Sequence, residues 1–296
     1  MYVMNFKSLL LHFLIVLIPT VGMAQIRDVA RIDYTSLPMS DATEMQRFKA
    51  TLNAPIPMKK EGRYFFIGSD YSNLNLQLRQ RTDLDLEKVR ELHKLNINLG
   101  YTEKWKNDWR FGLSVSPEFS TNESLKQLST SFMAVTAQLL FVKDNTENNA
   151  VEKPYKLLVG LTYSSNSTLP FPLPLVSYYR KFSSNWSYSL GAPKSNLQYF
   201  FSQADRLKLF TQLDGFNSML TNAADAQGDH EVDRLNVTLI LSGLQYEHYF
   251  TKHLQAYARA GYIWSERIKF RDGKNDVLQL TGPNRLYLRT GIRFKI

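Results

Sequence analysis

The last twelve residues, Arg285-Leu-Tyr-Leu-Arg-Thr-Gly-Ile-Arg-Phe-Lys-Ile296, alternate with period two. Leu286, Leu288, Ile292, Phe294 and Ile296 share one face, interrupted only by Thr290, while Arg285, Tyr287, Arg289, Gly291, Arg293 and Lys295 share the other. Successive side chains of a strand point to opposite sides, so this segment has one apolar and one cationic face. Two folds can use such a strand. A soluble sheet buries the apolar face in a core; a transmembrane barrel gives it to lipid and turns the charges inward.

The N-terminus favours the second. Lys7 supplies a short positive region, and Leu9 to Ile18 form an apolar stretch broken by His12 and ended by Pro19. Gly22-Met23-Ala24 places small residues where a signal peptidase cuts, so residues 1–24 read as a cleaved signal and 25–296 as the mature domain. The apolar stretch is short of the roughly 20 residues that a spanning helix needs. No later segment could span as a helix, which leaves either a soluble exported β protein or a barrel whose spans are hidden by alternation. The chain has no cysteine, so hydrogen bonds and packing must hold it. Its net charge of +9 suits anionic surroundings such as lipopolysaccharide or anionic solutes. The charge is scattered along an exported chain, which argues against nucleic acid.

Alternating segments separated by polar turns fill the mature sequence. Leu95, Ile97, Leu99 and Tyr101 form one set, and Trp109, Phe111, Leu113 and Val115 another. Leu254, Ala256, Ala258, Ala260, Tyr262 and Trp264 oppose Gln255, Tyr257, Arg259, Gly261 and Ser265. Leu235, Val237, Leu239 and Leu241 also alternate and are expected on the lipid face. A phase slip at Gly243 would then bring Leu244 and Tyr246 onto that same face.

Outer-membrane barrels alternate short periplasmic turns with longer outer loops and have an even number of strands. Met58–Glu61, Lys106-Asn107, Ser184-Asn185, Gln203–Asp205 and Phe250–His253 are short. Segments 80–91, 119–128, 165–173, 214–232 and 271–283 are long, Gly191–Lys194 is intermediate, and 143–153 is long where a short turn is due. Adding a first strand over Ala30–Ser36 gives an all-β antiparallel barrel of 14 strands, with 12 as the alternative because Trp186–Leu190 is short for a span. Aromatics gather at the short turns (Tyr101, Trp105 and Trp109; Tyr178, Tyr179 and Trp186; Tyr246, Tyr249 and Phe250), as interfacial girdles do.

Three short motifs, Pro55-Ile56-Pro57, the hairpin segment Leu190-Gly191-Ala192-Pro193 and Asn196-Leu197-Gln198-Tyr199, followed by Leu213-Asp-Gly-Phe216, resemble a family of Gram-negative outer-membrane proteins, domain of unknown function 6268. The resemblance implies a barrel in the outer membrane, inserted by the barrel-assembly machinery and surrounded by lipid and lipopolysaccharide. It implies no reaction and no catalytic residues. One departure is the closing residue: Ile296 stands where such barrels usually carry a terminal aromatic, and Phe294 lies two residues earlier on the same face.

With the apolar sets outward, Arg110, Glu118, Glu247, Arg259, Arg285, Tyr287, Arg289 and Arg293 become lumen-lining candidates. Lys94, Lys104, Arg79, Arg81, Gln245, Asn236, Tyr257 and Lys295 are expected beside them. An uncompensated arginine ladder would favour passive passage of small polar or anionic solutes. Pairing of the same arginines with carboxylates would instead fill a closed structural or adhesive barrel that acts through its outer loops.

A lipid-modifying barrel enzyme is the remaining alternative. It lacks support: no Gly-x-Ser-x-Gly elbow or His-x-x-x-His spacing occurs. His93 and His230 fall in expected outer loops, His253 in a short turn, and His248 among interfacial aromatics. The acidic loop Asp225–Asp233 and the mixed-charge segment Asp83–Glu91 read as solvated tips, the latter as a hairpin end or short helix. No catalytic residue, metal or cofactor is expected.

Overall fold

The computed structural model describes residues 28–38, 43–78, 86–123, 130, 133–146, 154–167, 171–224, 231–273, 275–282 and 285–295. The signal segment, Arg79, Arg81 and His230 lie outside them. Fifteen strands follow in chain order: β1 (Ala30–Leu37), β2 (Thr43–Pro57), β3 (Arg63–Leu78), β4 (Glu91–Lys104), β5 (Trp109–Thr121), β6 (Met133–Asp144), β7 (Tyr155–Ser164), β8 (Leu173–Lys181), β9 (Trp186–Ala192), β10 (Lys194–Phe200), β11 (Asp205–Ala224), β12 (Glu231–Tyr249), β13 (Leu254–Asp272), β14 (Asn275–Gly282) and β15 (Arg285–Phe294). A 3-10 turn covers Leu86–Val89.

Every neighbouring pair is antiparallel, and β1 pairs with β15 from Ala30↔Phe294 to Ser36↔Leu288, so the sheet closes on itself. β14 and β15 share one place in the circuit. The outer half of β13 pairs with β14 and its inner half with β15. The result is a closed 14-stranded antiparallel barrel of the outer-membrane type. The 271–283 segment, read from sequence as a loop, is therefore largely a hairpin arm: Val277 and Leu278 pack against the internal core and Leu280 is buried within it.

The outer wall is apolar. Ile32, Leu52, Leu209, Leu244 and Ile292 are among its most exposed side chains. Its inner rim carries the expected aromatic girdle, with ring contacts at Trp105–Phe141, Tyr155–Tyr178, Phe182–Tyr188, Trp186–Tyr199 and His248–Phe250. These rings sit near the inner-side strand ends, where side chains with an apolar body and a polar edge suit the membrane boundary.

Wall height is very uneven. β11, β12 and β13 run for 20, 19 and 19 residues, against 7 each for β9 and β10. A tilted span needs only about 9–11 residues. The long strands therefore rise well above their neighbours, and their outer halves must bury apolar surface by themselves.

They bury it inside the barrel, which corrects the sequence expectation for β12. Leu235, Val237, Leu239 and Leu241 are at most 1% exposed and point inward, in phase with Gln245 and Glu247. Ile240, Leu244 and Tyr246 occupy the outward positions. β12 has no slip at Gly243. The bulge lies across the ladder in β13, where Ile240↔Ser265 is followed by Leu241↔Ile263 and Trp264 is the extra residue. Asn236, expected inside, has the outward phase and is buried under the β7–β8 connection, donating to the Asn166 carbonyl at 3.2 Å. The inward set packs with Leu37, Met45, Leu74, Leu76, Leu92, Leu220, Ile268 and Phe270 into one core. That core fills the outer half of the lumen between β1–β4 and β11–β13.

Candidate functional site

Below the apolar core the inner face changes character. Even residues of β10 and β11 and odd residues of β12, β13 and β15 point inward, as the cross-strand pairs Lys194↔Gln212, Arg206↔Glu247, Gln245↔Arg259 and Gln255↔Arg293 require. Alternation on five strands thus brings Lys194, Arg206, Lys208, Arg259, Arg293 and Lys295 to one patch of wall. Among the described residues Glu247 is the carboxylate that ion-pairs within this patch.

Glu247 is 1% exposed. Its Oε1 accepts from Lys208 Nζ at 2.7 Å and Arg293 Nη2 at 2.8 Å, and its Oε2 accepts from Gln255 Nε2 at 2.8 Å. Gln245 donates to Oε1 as well. Among the described residues the other four cations have no carboxylate at ion-pair distance. Arg259 donates to Gln212 Oε1 at 3.3 Å, and Lys295 and Arg206 each donate to the Tyr249 hydroxyl, at 3.1 and 3.2 Å. Ring faces supply further contacts: Lys194 lies 5.5 Å from the Phe210 centroid, Arg206 4.4 Å from Tyr249 and Arg293 4.7 Å from Tyr257. A ring quadrupole attracts a cation without neutralising it. The patch therefore keeps a positive excess inside a low-dielectric wall.

The facing wall, β3 to β7, is different. Gly100, Gly112, Ser114 and Ser116 point inward with Asn98 and Gln138, and the small side chains leave a cavity of about 1120 Å³. Of the cations lining it, Lys156 pairs with Asp144 at 2.8 Å, whereas Lys104 and Arg110 have no carboxylate at ion-pair distance among the described residues. The inner half of the barrel thus forms a vestibule that carries a densely cationic patch on one wall and a cavity lined by small side chains on the other.

The eight residues singled out from sequence all have inward positions, but they fall into separate groups. Glu247, Arg259 and Arg293 belong to the cationic patch. Arg110 lines the facing cavity and donates to the Gly62 carbonyl at 3.1 Å. Glu118 is buried on Lys94. Tyr287 and Arg289 lie at mid-height, where Tyr287 donates to Asp214 at 2.9 Å and Arg289 contacts Asp33 at 2.5 Å. Arg285 is buried in the outer half against Glu266 and the Pro38 and Thr43 carbonyls, so it faces no open space. Sequence reasoning passed over Lys194, Arg206, Lys208 and Asp214. The even residues of 206–214 alternate with Leu207, Leu209, Thr211 and Leu213, and that pattern would have found three of them.

The described histidines form no reactive constellation. His93 lies in β4, not in an outer loop, with its Nδ1 2.9 Å from the Tyr71 hydroxyl. His253 is in the β12–β13 turn, its Nδ1 2.9 Å from the Lys295 carbonyl. His248 Nδ1 meets Asp205 Oδ1 at 2.8 Å at the inner rim, and Ser202 Oγ donates to Asp205 Oδ2 at 2.8 Å. The carboxylate stands between serine and histidine, the reverse of a serine–base–carboxylate relay. Among the described residues no group of three His, Cys, Asp or Glu could hold a metal ion. Most of the Asp225–Asp233 loop lies outside them.

A family model described as Domain of unknown function (DUF6268) matches residues 33–295. The chain belongs to this family. No curated protein matches this chain. Among solved structures it is similar to the KdgM porin in complex with disordered oligogalacturonate, at 9% identity and TM-score 0.36 over 90% of this chain and 99% of that one. It is similar to the Pseudomonas putida toluene transporter TodX at 9% identity and TM-score 0.39, covering 92% and 89%. The translocator domain of autotransporter NalP from Neisseria meningitidis gives 12% identity and TM-score 0.35, covering 90% and 86%. Likeness this distant carries no functional argument; the barrel itself rests on the closed circuit of strand pairs.

Proposed function

We propose that this DUF6268 protein is an outer-membrane channel for small anionic solutes and that its filled outer half is the closed state. The observation that carries the reading is the composition of the cationic wall: Lys208 and Arg293 share Glu247, and Lys194, Arg206, Arg259 and Lys295 have no carboxylate at ion-pair distance among the described residues. A barrel that is only structural is more stable with its interior cations paired or replaced by packed apolar side chains. Holding them without carboxylate partners opposes folding and favours entry of anions. The apolar core of the outer half accounts for closure.

The test is planar-bilayer conductance of the refolded mature protein, with the reversal potential read in a salt gradient. Steps with anion preference are expected. Charge reversal at Arg259 or Lys194, which stand among the clustered cations, should lower that preference more than reversal at Arg110 on the facing wall. The filled outer half favours one other reading, a closed barrel acting through its outer loops. No conductance from demonstrably folded protein under any condition would select it.

A further inference from the structure

β11 loses one neighbour half-way along its length. Pairing with β10 ends at Lys194↔Gln212, and the last backbone bond on that edge runs from Leu213 N to Pro193 O at 2.9 Å. From Asp214 outward, β11 is paired only with β12. An unpaired sheet edge presents backbone groups that need partners at every second residue. Here the partners are side chains of distant strands. Arg47 Nη1 donates to the Gly215 carbonyl at 2.7 Å and Lys94 Nζ to the Asn217 carbonyl at 3.1 Å. Met219 N donates to Ser120 Oγ at 2.7 Å, and Thr221 N to Asn122 Oδ1 at 2.6 Å. Residues 213, 215, 217, 219 and 221 thus keep the alternation of a sheet edge. The strand has crossed the lumen and docked on β2, β4 and β5.

Asp214 stands where the crossing begins. Arg47 Nη2 reaches its two oxygens at 3.2 and 3.3 Å, Tyr287 donates at 2.9 Å, and Arg289 Nη1 lies at 3.6 Å. Arg47, Tyr287 and Arg289 belong to β2 and β15, so they stay in the wall if β11 moves. A guanidinium with a flanking hydroxyl suits any oxyanion, carboxylate or phosphate. The vestibule cations next to it raise the local concentration of such ions.

We propose that Arg47, Tyr287 and Arg289 form an oxyanion site occupied in the closed state by the protein's own Asp214, and that a solute oxyanion displacing Asp214 releases the outer half of β11 and β12 from the opposite wall. This rests on the channel reading, since the vestibule supplies the ion.

The protein has no cysteine, so Ser120→Cys with Met219→Cys places one thiol pair at the docking contact. The full mature chain in phosphatidylcholine vesicles is treated with a short bis-methanethiosulfonate, and cross-linking is timed in sodium chloride, sodium phosphate and sodium succinate. Adding Asp214→Asn should slow cross-linking about tenfold or more, as expected when one partner of a buried ion pair is neutralised. Asp214→Glu, which keeps the charge, should restore the rate and reports that the barrel still folds. Phosphate or succinate should slow the parent pair and leave the Asp214→Asn protein unchanged. Rates indifferent to both the anions and Asp214→Asn would overturn the site. Conductance of the cross-linked protein is the second readout, and conduction unaffected by the cross-link would overturn the gate. Anion-dependent cross-linking without conductance would leave the site standing and remove the channel.

Discussion

Neutralising Glu247 tests how the vestibule is balanced. In the Glu247→Gln protein Lys208 and Arg293 lose a carboxylate that now sits 2.7 and 2.8 Å away. At an effective dielectric near 20, each contact is a gross attraction of roughly 6 kcal/mol. Most of that offsets the cost of taking the ions out of water, so the net loss is that of breaking a buried pair, about 3–5 kcal/mol. Glutamine keeps the shape and one acceptor, which places the expected loss near the low end, about 3 kcal/mol. Urea unfolding of the detergent-folded barrel, followed by tryptophan emission and by the mobility shift of unheated samples, measures it. Adding Lys208→Met, which removes one stranded cation and keeps apolar bulk, should recover a large part of the loss. A change below about 1 kcal/mol, the range of exposed pairs, would refute the argument that the patch is held together by its one carboxylate.

Three further outcomes follow from the same geometry. Leu239→Ala should cost about 2–5 kcal/mol in the same urea assay, because Leu239 is 1% exposed in the internal core and its removal leaves a cavity. Leu244→Arg, five residues along the same strand but facing lipid, should cost about 2–4 kcal/mol if it lies near the bilayer midplane, and the penalty should shrink when folding is measured in thinner-chain lipid. Gly243→Ala should weaken folding, since an added Cβ would stand 2.2 Å from the Ala260 carbonyl oxygen and 2.4 Å from Gly261 Cα, both backbone. Refolding yield in lipid, compared with that of Ala258→Gly as a neutral control, reports it.

Much of the barrel was legible in the order of residues. Alternation with period two assigns residues to faces, and the contrast between the faces of β15 is strong enough to say which one meets lipid. Turn lengths carried the strand count, because short turns and long loops must alternate around a barrel. The same logic failed at β12. There one face holds Leu235, Val237, Leu239 and Leu241, and the other also holds an apolar Ile240, so alternation groups the residues without saying which group is inside. The answer depends on wall height: β9 and β10 stop after 7 residues each while β11 and β12 continue, and the unsupported outer halves can shed water only by folding into the lumen. The cationic patch was only half visible for a related reason. Arg293 and Lys295 announce themselves within one segment, whereas Lys194, Arg206 and Lys208 become their neighbours only after the sheet has closed. Local order determined the faces, the turns and the closed sheet, because these depend on residues one or two apart. Which face is interior, which charges meet, and where the lumen is blocked were decided by strands of unequal length meeting across a closed ring, and that pairing is a property of the tertiary structure alone.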